Sequence, residues 1–232
     1  MNMDARREQN GFLWVPQCRE SWDAALHLGT RHIFEKNDTI IPSGQHVDQL
    51  YYIQEGQVRL SRVTPNGDEK IIWYVDAGTV FGETPFFDGL PAHSMHTSVG
   101  RSVIYTFSRQ CIYGKIATNH PQIWENLLAT LASKVRTLSN QICELSLTDL
   151  KSQVCKFLFH AKHKGFETCC QRGLVIIHAR TSQQELASIL GVHRVSVSKV
   201  LKQLKEEGVV TKYCKKEVWV ADWDMLLEYA TL

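Results

Sequence analysis

The sequence predicts an α+β protein built in succession from an antiparallel β-roll, a long amphipathic helix and a C-terminal pair of helices flanked by a β-hairpin. Three observations predict it. Between about Thr30 and Phe107 short apolar runs alternate with turn residues, the pattern of an antiparallel sandwich or barrel. From Pro121 the apolar residues recur every three or four positions, as on one face of a helix. From Ser182 to Leu204 two short amphipathic segments are separated by a single glycine, Gly191.

Taken in order, residues 1–26 read as a polar tail and a lead-in segment with helical character near Ser21 to His27. Residues 27–120 hold the β-roll. Its strands fall in runs such as TIIPSG, LYYIQEG, VRLSRV, KIIWYVDAG and SVIYTF. Asn66-Gly67 predicts a two-residue hairpin turn between Val58–Val63 and Lys70–Val75, and Gly56 and Gly78 mark further turns. In the helix over 121–147, Leu128, Leu131, Val135, Leu138, Ile142 and Leu145 form an a/d seam, which predicts a helix that dimerises. Ile123 and Leu127 lie beside that seam and predict a second contact, with the β-roll itself. Thr148 to Leu150 reads as a hinge.

Residues 150–232 form the last domain. Residues 151–165 predict an amphipathic helix through Val154, Phe157, Leu158 and Ala161, and Leu174–His178 a short strand. Ser182 with Glu185 three positions on is a capping box that starts a helix. Leu186, Ile189 and Leu190 share one face of it, and Gly191 ends it, because glycine takes the left-handed turn without steric cost. A second helix buries Val197, Val200, Leu201 and Leu204 and leaves Arg194, Val195, Ser198 and Lys199 outside. A short helix, a tight turn and a second helix with small and basic outward residues is the helix-turn-helix that enters a DNA major groove. Gly208–Tyr213 and Glu217–Ala221 predict the wing, with Cys214-Lys215-Lys216 at its tip.

The formal net charge is only +2, but it is unevenly spread: residues 151–232 carry 13 Lys/Arg against 8 Asp/Glu. A basic C-terminal third suits contact with phosphates. No apolar run approaches the roughly 18–20 residues of a membrane span, so no membrane partner is expected. The N-terminal MNMDARREQN lacks the apolar stretch of a signal peptide, so the expected location is cytoplasmic. The seven cysteines are odd in number and form no Cys-x-x-Cys; in a reducing compartment they read as buried or idle thiols. No phosphate loop, metal-spaced His/Glu set or Gly-x-Ser-x-Gly elbow occurs, so neither an enzyme nor a metal site is expected.

This order of parts resembles the cyclic-AMP receptor protein/fumarate-nitrate regulator (CRP/FNR) family over about residues 25–225. Phe81-Gly82-Glu83, followed by an irregular stretch to Ser94, is similar to the family's phosphate-binding cassette, and Val192 to Lys199 to its recognition helix. The resemblance implies a cyclic-nucleotide-binding-like β-roll (jelly roll), a dimerisation helix and a winged helix-turn-helix. It also implies a homodimeric, ligand-responsive regulator that binds double-stranded DNA at a palindromic site, acts on RNA polymerase and takes a small-molecule effector. Arg194 and Lys199 would then reach base edges, Val195 a thymine methyl, and Ser196 or Ser198 a phosphate. His193, Ser182 and Gln183 complete the expected DNA-contacting set.

Two departures bear on the effector. His93 stands where cyclic-nucleotide binders place an arginine, and an imidazole cannot form the bidentate fork a cyclic phosphate wants, which argues against cyclic AMP. Val195 stands where most members place a glutamate, so A/T-rich half-sites are expected. The recognition helix looks most like the halorespiration branch, whose regulators activate reductive dehalogenation genes in response to a halogenated phenol. Lys134 matches that branch's lysine on the dimer helix, whereas Glu83 stands where it carries a second lysine, and a carboxylate opposes a phenolate. Trp73, Tyr74 and Phe81 offer an aromatic wall. The expected effector-contacting set is therefore Trp73, Tyr74, Phe81, Gly82, Glu83, His93, Ser94 and Lys134. A redox- or gas-responsive regulator of the same family, acting through cysteine or haem, stays open beside this reading, and no resident cofactor is expected.

Overall fold

The computed structural model describes residues 19–163, 168–171, 174–179 and 181–231. Residues 1–18 of the expected tail lie outside them, and the helical lead-in expected near Ser21 to His27 falls on a short helix, Arg19–Asp23, and a 3-10 turn, Leu26–Leu28. The chain divides into two compact units at Leu138/Ser139.

The first unit is an antiparallel jelly roll of two four-stranded sheets. One has the order β1-β8-β3-β6 and the other β2-β7-β4-β5. The strands are β1 Thr30–Phe34, β2 Thr39–Ile41, β3 Gln49–Glu55, β4 Gln57–Val63, β5 Glu69–Asp76, β6 Val80–Phe81, β7 Met95–Ser98 and β8 Ser102–Ser108. Alternation along β3 shows why both faces of its sheet are covered. Ile53 joins a core with Ile41, Val58, Leu60, Trp73, Val75, Phe81 and Ile104 between the sheets. Leu50 and Tyr52 face the other way and pack with Phe107 of β8 and with Trp22, Ile123 and Leu127 from the flanking helices. Trp22 stacks on Tyr52 at 5.7 Å, and the Tyr52 hydroxyl donates to Asp23 Oδ1 at 2.8 Å.

The β4–β5 hairpin differs from the two-residue turn expected at Asn66-Gly67. Gly67 N–H donates to the Thr64 carbonyl at 2.9 Å and Thr64 N–H to the Asp68 carbonyl at 2.9 Å, and only Gly67 takes a positive φ, 86°. Pro65 is the cause. Its ring sets the φ wanted at the second position of a type I turn that starts at Thr64, and Gly67 then closes the loop in the left-handed region.

A 26-residue helix, Gln122–Leu147, carries two apolar or mixed stripes. Ile123, Leu127, Thr130, Lys134, Thr137 and Gln141 are buried. Leu128, Val135, Leu138, Ile142 and Leu145, about a quarter of a turn away, are exposed, and Leu131 is half-buried. Among the described residues no helix is long and apolar enough to cross a membrane.

The second unit takes in the last turns of that helix, from Ser139. Thr148 folds back on it, donating from N–H (3.1 Å) and Oγ1 (2.7 Å) to the Glu144 carbonyl. Asp149 caps the next helix, Leu150–His163, by accepting from Ser152 N–H at 2.7 Å. Its carboxyl is held below the usual range chiefly by that backbone hydrogen bond. Lys156 Nζ closes the junction on Glu144 Oε2 at 2.6 Å. Val154, Phe157, Leu158 and Ala161 are buried as their spacing predicts.

A four-stranded sheet of order β11-β12-β10-β9 follows, with β9 Thr168–Gln171, β10 Leu174–Ile177, β11 Val210–Tyr213 and β12 Val218–Val220. The wing strands match expectation. Strand β9 and the last helix, Trp223–Thr231, are additions to it. Of the four cysteines whose side chains are described, only Cys155 is buried; Cys143 is exposed, on the side of the long helix away from both stripes.

Gly56 is a critical turn: its φ is 91°, and an added Cβ would lie 2.8 Å from the Arg101 carbonyl oxygen and closer still to Ser102 Oγ. Gly56→Ala is expected to cost about 2–4 kcal/mol, from left-handed strain plus overpacking, read as a fall in the urea midpoint. Asp149→Ala is expected to cost about 1 kcal/mol, the usual value of an N-cap, in the same measurement.

Candidate effector site and DNA interface

Within the first unit the centre of the candidate effector site is an ion pair. Lys134 Nζ lies 2.8 Å from Glu83 Oε1 and donates to the Val80 carbonyl at 3.0 Å, with both charged side chains almost wholly buried. Local chemistry places each partner. Val80–Phe81 ends as a short edge strand, and Gly82, at φ 81°, turns the chain into the helix Glu83–Asp88. An added Cβ on Gly82 would lie 2.9 Å from the Tyr51 ring, so glycine is needed for space as well as for its torsion angle. Glu83 opens that helix, where a carboxylate also meets the positive end of the helix dipole. Lys134 comes from the buried stripe of the long helix. A stretch expected to be irregular between Gly82 and Ser94 thus contains one and a half turns of helix.

The remaining expected residues divide. Trp73 is near, with its ring centroid 5.9 Å from Lys134 Nζ. Phe81 is fully buried and stacks on Tyr51 at 5.0 Å. Ser94 is buried, but His93 is exposed to water. Tyr74 follows Trp73 in the same strand and therefore takes the opposite face of β5, in a row with Arg59 and Thr97. The aromatic wall is consequently Trp73 and Phe81 without Tyr74.

His96 was not anticipated. It sits in register with Leu60, which is itself opposite Trp73, and its ring stacks on Phe81 at 5.3 Å. Burial first, and then the charge of Lys134, push it down to about 3; a contact with the Ser94 backbone works the other way and is outweighed. His96 is therefore neutral at every physiological pH. The sequence carried one signal of it: Met95-His96-Thr97-Ser98 sets a polar residue at an inward strand position. Among the expected residues and His96, four buried polar atoms find no partner among the described residues: Glu83 Oε2, Trp73 Nε1, Ser94 Oγ and His96 Nδ1. Such atoms each cost free energy unless something bonds to them.

In the second unit the helix-turn-helix follows its sequence signals closely. Ser182 Oγ accepts from Glu185 N–H at 3.1 Å and starts the helix Gln183–Leu190. Gly191 ends it at φ 71°, with its N–H on the Ala187 carbonyl. The second helix, Arg194–Glu206, buries Val197, Leu201 and Leu204, while Val200 is only half-buried. His193, Arg194, Val195, Ser198 and Lys199 are exposed, and Ser196 is half-buried. Val195 is 64% exposed, an apolar side chain in a polar row. Ser182 and Gln183 are half-buried at the start of the first helix, with the Ser182 oxygen already engaged as the cap. At the wing, Lys212 pairs with Glu217 at 2.5 Å, and Lys215 and Lys216 are exposed at the tip. Tyr213 braces the wing by donating to the Thr181 carbonyl at 3.2 Å.

Replacing Lys134 by Met is expected to cost about 3 kcal/mol or more at neutral pH, because it leaves the Glu83 carboxylate buried and unpaired. Adding Glu83→Gln to it should recover most of that loss in a denaturation double-mutant cycle. His96 predicts a pH effect. Its folded value lies far below the unfolded one, so stability is full above about 6.5 and falls as pH drops toward about 3. His96→Phe should flatten that slope, by at most about 1.4 kcal/mol for each pH unit.

Comparison with known proteins agrees with this geometry. Residues 31–119 match the cyclic nucleotide-binding domain family, and residues 152–229 the Crp-like helix-turn-helix domain family. The chain is 29% identical over 197 residues to a CRP-like cAMP-activated global transcriptional regulator of Mycobacterium tuberculosis, covering 85% of this chain and 86% of that protein. Its fold is also that of CprK in complex with OCPA (TM-score 0.70, 20% identity, 93% of this chain and 99% of that one). A CooA variant from Carboxydothermus hydrogenoformans has the same fold (TM-score 0.75, 15% identity, 93% and 96%).

Proposed function

The chain belongs to the CRP/FNR family of DNA-binding transcription regulators, and we propose that it works as a homodimer whose DNA binding is set by a small aromatic effector in the β-roll. The observation that carries this reading is the pair of stripes on the long helix. The buried stripe brings Lys134 to the effector site, and the exposed one leaves Leu128, Val135, Leu138, Ile142 and Leu145 in water. Apolar surface left in water costs about 25 cal/mol per Å2, and the same seam on a second copy covers it by two-fold symmetry.

Effector contact and dimer contact then share one rigid element. A ligand that binds one pose of this helix more tightly than another shifts the population of that pose, and the junction at Thr148–Leu150 hands the shift to the winged helix. Two recognition helices related by the dimer axis suit a palindrome with half-sites about one DNA turn apart. Arg194 and Lys199 reach base edges, Val195 covers a thymine methyl, and Ser196, Ser198, His193, Ser182 and Gln183 sit at the phosphates. The resemblance of the recognition helix to the halorespiration branch supports A/T-rich sites, activation through RNA polymerase and a halogenated aromatic effector.

Two experiments test this. Ile142→Lys is expected to shift sedimentation toward the monomer and to weaken operator binding at least tenfold; an unchanged dimer would remove the seam from the interface. Val195→Glu is expected to move the half-site consensus toward a G·C pair in a binding-site selection, and an unchanged consensus would deny Val195 its place at a base.

A further inference from the structure

The electrostatics of the effector site select more narrowly than its position in the fold. Its one buried cation, among the described residues, is already matched: Lys134 spends two of its three N–H groups on Glu83 Oε1 and the Val80 carbonyl. His96 adds no charge, since burial holds it neutral. His93, at the position where an arginine would meet a cyclic phosphate, lies in water. An anion entering this site would find a carboxylate and no unpaired cation. It would lose its hydration with no uncompensated positive charge to offset the loss, which costs several kcal/mol for an ion in a protein interior.

What the site does offer is a set of hydrogen-bonding positions whose two charges cancel. Trp73 (7% exposed), Glu83 (5%), Ser94 (1%) and His96 (4%) each keep one unpartnered polar atom, and Lys134 (3%) keeps one N–H. Trp73 Nε1 can only donate. Glu83 Oε2, as a carboxylate oxygen, can only accept. Ser94 Oγ and the neutral imidazole can do either. Phe81 and His96 supply stacked rings beside them.

Resting on the effector-site reading above, we propose that this site takes an uncharged aromatic ligand with a hydrogen-bond donor aimed at Glu83 Oε2, and rejects the anionic form of the same ring. A halogenated phenol would accordingly bind with its hydroxyl protonated. The Glu83–Lys134 pair is the specificity determinant: it withdraws the lysine's charge from the ligand and presents an acceptor in its place.

A matched neutral and anionic pair tests this by calorimetry on the full-length protein: 3-chlorobenzamide against 3-chlorobenzoate, with cyclic AMP as a third probe. The wild type is expected to bind the amide at least tenfold more tightly than the benzoate. Glu83→Gln removes the negative partner and should shrink or reverse that ratio at least tenfold. Because this variant strands a buried lysine and could misfold, a titration of the wild type with 2-chlorophenol stands beside it. Affinity should fall as pH rises through the phenol's own pKa.

Tighter binding of the benzoate or of cyclic AMP by the wild type overturns the proposal. So does a phenol affinity that rises with pH, an unchanged ratio in a folded Glu83→Gln protein, or no binding of any probe. DNA affinity, measured with and without probe, separates the two readings. If the amide binds but leaves DNA affinity unchanged, the ligand class stands and the effector role falls. If the anion binds and changes DNA affinity, the effector role stands and the ligand class falls.

Discussion

A lysine ammonium held against a carboxylate inside the first unit is the constraint on which the rest of that unit depends. Neither charge could be buried alone, since the cost of dehydrating a lone ion exceeds what packing returns. Together they join the short helix after β6 to the long helix, and Glu83 itself keeps one oxygen unpartnered. The Val80 carbonyl takes a second N–H of Lys134, which ties β6 directly to the long helix. Apolar contacts of Ile123 and Leu127 hold the first turns of that helix but carry no comparable specificity.

The second unit is organised by local backbone chemistry instead. A serine cap, a left-handed glycine and an aspartate cap set where its helices start and stop, each satisfying N–H or carbonyl groups that a helix end leaves open. Its aromatic contacts are cationic at several points: Lys151 over Tyr229 at 3.5 Å and Lys162 over Trp223 at 3.8 Å both pack the last helix against Leu150–His163. With these lysines engaged in packing, Arg194, Lys199, Lys215 and Lys216 remain among the exposed basic residues of the described part of this unit.

Two of the described cysteines, Cys155 and Cys111, are held as protonated thiols by burial. Cys155 is buried in the helix Leu150–His163, and burial pushes its thiol up to about 12. Such a thiol is a packing residue and a poor nucleophile. Burial likewise raises the Cys111 thiol, whose sulfur faces the Leu28 carbonyl at 3.6 Å. A sensor built on these two groups would need them to open first.

The sequence by itself determined the order of parts, both helix stripes and the whole helix-turn-helix, down to its caps. Those features are local: a period of 3.6, a serine three residues before its acceptor's donor, a glycine where φ must be positive. It misplaced the β4–β5 loop because Asn66-Gly67 is a strong turn signal in isolation, and only Pro65 with the strand register shifts the turn back to Thr64. It missed β9, which pairs only because β10 presents an open edge to Thr168–Gln171. The pairing inside the candidate effector site was decided by tertiary structure. Glu83 and Lys134 stand 51 positions apart, and whether they meet or repel a ligand separately depends on the register of a helix against a sheet. His96 gained its place through strand pairing with Leu60, and Tyr74 lost its place through the pleat of β5. Long-range register of this kind leaves no local signal, because a shift of one residue reverses every side chain in a strand while its composition stays the same.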